Sequence, residues 1–259
     1  MHVDVAELRD FYAGLLGRMV TRHIREVLHA TLSVSPSDRI LGLGFATPYL
    51  GPQLGRAERI LAFMPAAQGV IDWPGNGVSA TALVEETALP LPDSAIDLAI
   101  LVHALETSSR PPEFMAELRR ILTNNGRVFI VVPNRQGAWA RSDTSPFGYG
   151  RPYSRSQLRS LLGDTGFTVL SWSTALHMWP SRHRSLLSLS PAMEKIGRRI
   201  WPAFSGVTCV YAQKSSMPAI KAKSSRRFSS ALKPALQPGI GMVDASRAAR
   251  FRAYSGDDG

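Results

Sequence analysis

The chain has 259 residues, of which 44% are hydrophobic and 19% charged, the composition of a globular protein long enough to bury a substantial core. Its single cysteine, Cys209, excludes an internal disulfide framework and a multi-cysteine metal cluster, and no run approaches the roughly 18 apolar residues of a membrane span. The formal net charge is +10, but eight Lys or Arg against three Asp fall from Ser215 onward, so the body of the chain is only mildly basic.

The N-terminus reads Met1-His2-Val3-Asp4-Val5-Ala6-Glu7, acidic where a leader peptide is basic, so a cytoplasmic protein is expected. Leu8, Phe11, Leu15, Leu16, Met19, Val20, Ile24, Val27 and Leu28 then recur at helical spacing. They predict a long amphipathic cover helix within residues 1–35, capped by Asp4, with Gly14 and Gly17 as its weak points and Pro36 beyond its end. Arg39–Gly44 is a short apolar run ending in glycines, as expected of a buried strand entering a tight loop. Residues 59–64, 79–84 and 97–102 supply three more strands, the third of the four being the weakest. A helix over 113–122 is followed by the turn signal Asn124-Asn125-Gly126 and by a strand over 127–132, closed by Pro133. A helix capped by Ser154, a strand over 166–172, a helical insertion over 175–205 and a last strand over 206–212 complete the body. The strands are apolar continuously, the pattern of a sheet covered on both faces. Alternation of strand and helix predicts an α/β, doubly wound, mostly parallel seven-stranded sheet in a domain spanning 1–214. Residues 215–259 have too few apolar clusters to offset their ordering entropy and are expected to be a disordered basic tail. Such a tail either contacts an anionic surface or nucleic acid, or is solvated and binds nothing.

Three stretches carry a family likeness. They are Leu89-Pro90-Leu91-Pro92-Asp93-Ser94-Ala95-Ile96-Asp97-Leu98-Ala99 leading into the fourth strand, His103-Ala104-Leu105-Glu106 at its end, and Glu117-Leu118-Arg119-Arg120-Ile121-Leu122 with Asn124-Asn125-Gly126-Arg127-Val128 before the fifth. Over residues 38–214 the chain resembles the class I S-adenosylmethionine-dependent methyltransferase superfamily, with its Rossmann-like fold. The resemblance implies that S-adenosylmethionine binds beyond the carboxyl ends of the strands. Gly42, Gly44 and Phe45 would lie along its methionine part, Met64 at the second strand's end, Glu85 or Glu86 at the adenine amino group, and His103 beside the fourth strand. The chain departs from the family pattern where the cofactor is gripped. Gly42 stands at the family's acidic position, Ala46 and Pro48 replace its second and third glycines, and Phe63-Met64-Pro65 offers no carboxylate for the ribose. Each charge-assisted hydrogen bond lost there removes about 1.5–3 kcal/mol, which predicts a weaker grip by roughly ten- to hundredfold. Thr47-Pro48 has a second reading, as the first turn of a short helix that Pro52 would end. A dinucleotide loop fits poorly, because the third glycine and an acid ending the second strand are both missing.

Methyl transfer requires mainly proximity and orientation, helped by a base when the acceptor is protonated. His103 is the candidate base; its other reading is a polar cap on a strand end. Residues 134–154 concentrate Asn134, Arg135, Trp139, Arg141, Phe147, Arg151 and Tyr153 directly after the fifth strand. They form either a lid suited to an anionic small-molecule acceptor, through arginine forks and stacking rings, or a packed Ω-type loop. His177, Trp179, His183 and Trp201 of the insertion would complete the pocket, and their spacing suggests no metal site. The expected function is an S-adenosylmethionine-dependent methyltransferase; the alternative is a catalytically inactive, methyltransferase-like binding or regulatory module.

Overall fold

Seven strands form one sheet in the order β3-β2-β1-β4-β5-β7-β6. They are β1 (Arg39–Gly44), β2 (Arg59–Pro65), β3 (Thr81–Val84), β4 (Ile96–Val102), β5 (Leu122–Pro133), β6 (Phe167–Ala175) and β7 (Val207–Lys214). The first five run parallel, and β7 is antiparallel to both of its neighbours. The computed structural model describes residues 3–142, 145–181, 187 and 189–215, all within one unit spanning residues 1–222. His183 and, apart from Ser215, the basic tail lie outside the described residues.

The continuous apolar runs divide cleanly by strand alternation. Ile40, Leu98, Ile100, Val102, Phe129 and Val131 face one core, while Leu41, Leu43, Ala99, Leu101, Ile130 and Val132 face the other. Helices α1 (Val5–Ala13) and α2 (Leu15–Thr31) cover the first face; α4 (Pro111–Ile121) and α5 (Arg155–Asp164) cover the second. Short α3 (Thr47–Leu50) follows β1, and α6 (Ser190–Ile200) precedes β7.

The N-terminal segment is two helices rather than one long one. Asp4 caps α1 by accepting from the Ala6 amide at 2.7 Å. The chain leaves the helix at Gly14 and re-enters at Leu15. Gly17 explains why the two helices can pack so closely, since a Cβ there would stand 2.1 Å from the Phe11 carbonyl oxygen. A second correction concerns Asn124-Asn125-Gly126. Leu122 already pairs with Ile96, and Arg127 pairs with Leu98, so residues 123–126 bulge within β5 instead of preceding it.

The segments that carry the family likeness hold one another in place. Glu117 accepts from the Leu89 amide at 2.7 Å, while Arg120 donates to Glu117, to Asp93 and to the carbonyls of Leu89 and Leu91. Asp97 receives both the Arg39 guanidinium and its amide, tying β4 to β1.

Candidate active site

The chain passes outward from β1 through β2 to β3, then crosses back to lay β4 on the other side of β1. Open α/β sheets bind ligands in the crevice outside the carboxyl ends of the strands flanking such a switch. Here those ends are Gly44 and Val102. Gly44 has φ +76°, and a Cβ on it would stand 2.3 Å from the Val102 carbonyl oxygen, so a glycine is required for the loop to turn against β4. Phe45 donates its amide to that same carbonyl at 2.8 Å. A Cβ on Gly42 would strike Leu50 at 2.5 Å, so Gly42 serves the packing of α3 beneath the loop. Thr47 and Pro48 do open a helix, which ends at Leu50 before the 3-10 turn holding Pro52.

His103 follows β4 directly, buried and in the left-handed region at φ 53°. Such a conformation is uncommon for a residue with a Cβ and costs of order 1–3 kcal/mol, which the surroundings must offset. Its ring is held from three sides. Nε2 lies 2.9 Å from the Tyr12 hydroxyl of α1, Nδ1 lies 3.2 Å from Glu106 Oε1, and the Phe147 ring packs at 4.6 Å. Tyr12 in turn stacks on Phe45 at 5.2 Å and accepts from the Tyr49 hydroxyl at 3.3 Å. The Glu106 carboxylate is fully buried, and the His103 contact lacks the alignment of a good hydrogen bond. A buried carboxylate without strong donors is costly, and the His103 ring is the nearest polar group turned towards it. Burial above all, with the nearby Glu106 carboxylate adding to it, pushes the Tyr12 hydroxyl well above its ordinary pKa, so Tyr12 stays protonated.

The remaining predicted residues separate into two groups. Met64 is buried under the β2 end, and Glu85 and Glu86 border a small cleft of about 110 Å³ with Pro65, Ala66 and Gln68. Glu85 pairs with Arg110, and Glu86 accepts from Ser108. Gln68 donates to the His103 carbonyl at 3.2 Å, and its own Oε1 is buried without a hydrogen-bond partner. In the loop after β5, Asn134 bonds the carbonyls of Ala203 and Ser205, Trp139 donates to Met178 at 2.6 Å, and Phe147 and Tyr153 are buried. Burial pushes the Tyr153 hydroxyl up to about 12, with Glu106 adding to the effect. Arg135, Arg141 and Arg151 are exposed and make no ion pair among the described residues. The loop is pinned at Gly150, where a Cβ would meet the Glu106 carbonyl oxygen at 2.6 Å, and by the Arg151 amide bonded to that carbonyl at 2.8 Å. His177 is engaged by Glu194, and Trp179 and Trp201 are exposed, so these three do not gather around His103. Among the described residues no cluster of His, Cys, Asp and Glu could hold a metal ion, and no helix is long and apolar enough to cross a membrane.

Sequence reasoning missed Tyr12, Gln68 and Glu106. Glu106 was within reach, because it stands three residues after His103 in a stretch already singled out; Tyr12 and Gln68 leave no local signal.

A parallel sheet with its switch point at β1/β4 and a strained, buried polar group at that carboxyl edge defines a crevice-binding α/β protein. The chain belongs to the family described as "Methyltransferase domain", which matches residues 17–172. A curated protein of Mycobacterium tuberculosis, named a probable S-adenosylmethionine-dependent methyltransferase, is 27% identical over 121 residues, 44% of this chain and 44% of its own length. The match thus spans less than half of the curated relative. A Thermotoga maritima S-adenosylmethionine-dependent methyltransferase, described as a possible histamine N-methyltransferase, superposes with a TM-score of 0.56 at 16% identity over 82% of this chain and 96% of its own. The geranyl diphosphate C-methyltransferase of Streptomyces coelicolor, solved with S-adenosyl-L-homocysteine, gives 0.52 at 12% identity over 73% and 74%. These likenesses bear out the expected fold: a seven-stranded, mostly parallel sheet with flanking helices.

The two ends of the crevice differ in how they suit S-adenosylmethionine. At the β2 and β3 ends, two carboxylates and the unpartnered Gln68 oxygen offer hydrogen-bonding groups for an adenosine. At the β1 and β4 ends, the buried rings of Tyr12, Phe45 and Tyr49 pack on one another beside the loop after β1. A 110 Å³ cleft is also well below the ~300 Å³ of the smallest typical ligand pockets. With α1 docked, the residues present admit the adenosine end at most.

Proposed function

We propose that the protein is an S-adenosylmethionine-dependent methyltransferase for a small-molecule acceptor, and that α1 with Tyr12 must withdraw before the cofactor is fully seated. The observation that carries the reading is the buried Tyr12–His103–Glu106 arrangement at the switch point of a methyltransferase-family sheet. Glu85, Glu86 and Gln68 would hold the adenosine, and the loop from Gly42 to Phe45 would border the methionine part. The cofactor supplies an electrophilic methyl group. The chain supplies position and a proton acceptor: with Nδ1 turned to Glu106, Nε2 is the free nitrogen once Tyr12 leaves, ready to take a proton from the acceptor.

With α1 docked, a cleft of about 590 Å³ lies between the α1–α2 junction and the loop after β5, bordered by Glu7, Asp10, Phe11, Leu15, Pro146 and Tyr149, and movement of α1 would widen it into the acceptor's entry. A cationic acceptor would meet Glu7 and Asp10, which line this cleft; an anionic one would draw on the exposed Arg135, Arg141 and Arg151 of the loop after β5, which stand outside its lining. Arg141→Ala with Arg151→Ala should weaken an anionic acceptor and spare the cofactor, whereas Glu7→Gln with Asp10→Asn should do so for a cation.

One observation favours the alternative, a methyltransferase-like module without catalysis: the methionine end is filled by the chain's own aromatic rings. Calorimetry on the full chain with S-adenosylmethionine and S-adenosyl-L-homocysteine separates the two. Saturable heat supports the enzyme; no heat at millimolar ligand leaves the module.

A further inference from the structure

Helix α6 docks on the end of β6 through Glu194 and borders α2 across a small cleft that Pro191 and Lys195 share with Arg22, His23 and Glu26. The Glu194 carboxylate accepts from the amides of Leu176 and His177 at 3.0 and 2.8 Å and from the His177 ring at 3.0 Å. Gly197 permits the contact, since a Cβ there would stand 2.3 Å from that of His177. Successive helical residues are turned by about 100°, so Leu189, Met193, Ile196 and Ile200 project together in an arc of roughly 60°, whose centre lies about 100° around the helix from the middle of the Glu194–Gly197 side. With Trp201 and Phe204 just beyond, and Trp179 on the segment leading away from His177, these side chains are between 39% and 69% exposed. An apolar helical stripe normally faces a core, and this one faces outward. Lys195 and Arg199 stand exposed and make no ion pair among the described residues, Lys195 at the rim of a small cleft that it shares with Glu194 and with Glu26 of α2. Ala175 and Pro133 both pair with Val207, so β6 ends at the same edge of the sheet as β5, and α6 lies beyond the edge that carries His103.

We propose that α6 docks the protein on an anionic lipid bilayer, with the apolar stripe in the interface and Lys195 and Arg199 against the headgroups. Charge selects this occupant. An apolar stripe flanked by unpaired cations, with two exposed tryptophans, has the composition of an interfacial helix. The chain's net charge of +10 favours an anionic surface over a neutral one. A second copy packed stripe to stripe would bring the two cationic flanks together, which disfavours a dimer through this face. The inference goes beyond the methyltransferase reading and does not depend on it.

Flotation of the full chain with vesicles tests it. Phosphatidylcholine vesicles containing 30% phosphatidylglycerol should carry the protein; pure phosphatidylcholine should carry at least tenfold less, and high salt should release it. Ile196→Asp with Ile200→Asp should lower binding to the anionic vesicles at least tenfold with an unchanged melting temperature, because both side chains are exposed. Lys195→Glu with Arg199→Glu should lower it severalfold. Anionic binding that survives Ile196→Asp with Ile200→Asp would assign it to another basic part of the chain and overturn the proposal. So would a dimer in sedimentation that the same variant dissolves while neither protein binds vesicles.

Discussion

Tyr12 on α1 and His103 at the end of β4, 91 residues apart in the chain, are joined by a 2.9 Å hydrogen bond inside the crevice where this fold receives its ligands. In the function proposed above, that bond makes α1 part of the site rather than a cover laid beside it. Truncating Tyr12 to Ala should cost about 3 kcal/mol of stability, as for a buried aromatic. It should also raise the affinity for S-adenosyl-L-homocysteine at least threefold, because the binding-competent arrangement no longer competes with a docked ring. Chemical denaturation and calorimetry on one preparation measure both. A loss of stability with unchanged or weaker binding would mean that Tyr12 is core alone.

Gly44→Ala should destabilise by about 2 kcal/mol or more although it removes no polar group. The added methyl meets the Val102 carbonyl at 2.3 Å, and φ +76° penalises any Cβ by roughly 1–2 kcal/mol. Gly51→Ala, where a Cβ has open space, is the control and should stay within about 0.5 kcal/mol of wild type.

Trp139→Phe and Arg141→Ala should differ sharply although they are neighbours in the same loop. Trp139 is fully buried and donates its indole N–H to Met178 at 2.6 Å, so its replacement should lower stability by about 1–3 kcal/mol. Arg141 is exposed, and its loss should fall within about 0.5 kcal/mol. Urea midpoints with unchanged slopes are the readout.

Acid should weaken the fold through two carboxylates that belong to the recognisable segments. Hydrogen bonds from Arg39 hold the Asp97 carboxyl below its usual range, and those from Arg120 do the same for Glu117. Folded values below the unfolded ones, near 4, mean that this stability is complete above about pH 4–5 and is lost as the pH falls through the folded values. Stability measured from pH 7 to pH 3 should therefore stay level and then decline. Arg120→Ala should lower the plateau by about 1–2 kcal/mol and flatten the decline; an undiminished acid slope in that variant would remove Glu117 from the explanation.

The parts of the fold that could be read from sequence are those whose signals are local. Residues 89–99 and 117–122 are recognisable because Glu117 and Arg120 must meet the Leu89 and Leu91 backbone at fixed spacing. The central strands β1, β4 and β5 are readable because each carries apolar residues on both faces, whereas β3 and β6 at the sheet's edges are only partly buried. The site was only half readable. His103 and Glu106 stand three apart, and Gly44 marks a turn, but Gly42 and Gly44 prove to relieve clashes with Leu50 and Val102. Nothing near Tyr12 separates it from Phe11 in the amphipathic stripe; only the tertiary approach of α1 to β4 does. The bulge at residues 123–126 escaped for a similar reason, since Asn-Asn-Gly looks the same in a turn and in a bulge.

The account rests on the cofactor site lying beneath α1. Amide hydrogen exchange of the full chain, with and without saturating S-adenosyl-L-homocysteine, tests this most directly. The account predicts faster exchange across Val5–Ala13 in the complex and slower exchange at Gln68, Glu85 and Glu86. Protection of Val5–Ala13 that is unchanged or increased by the bound ligand would contradict it.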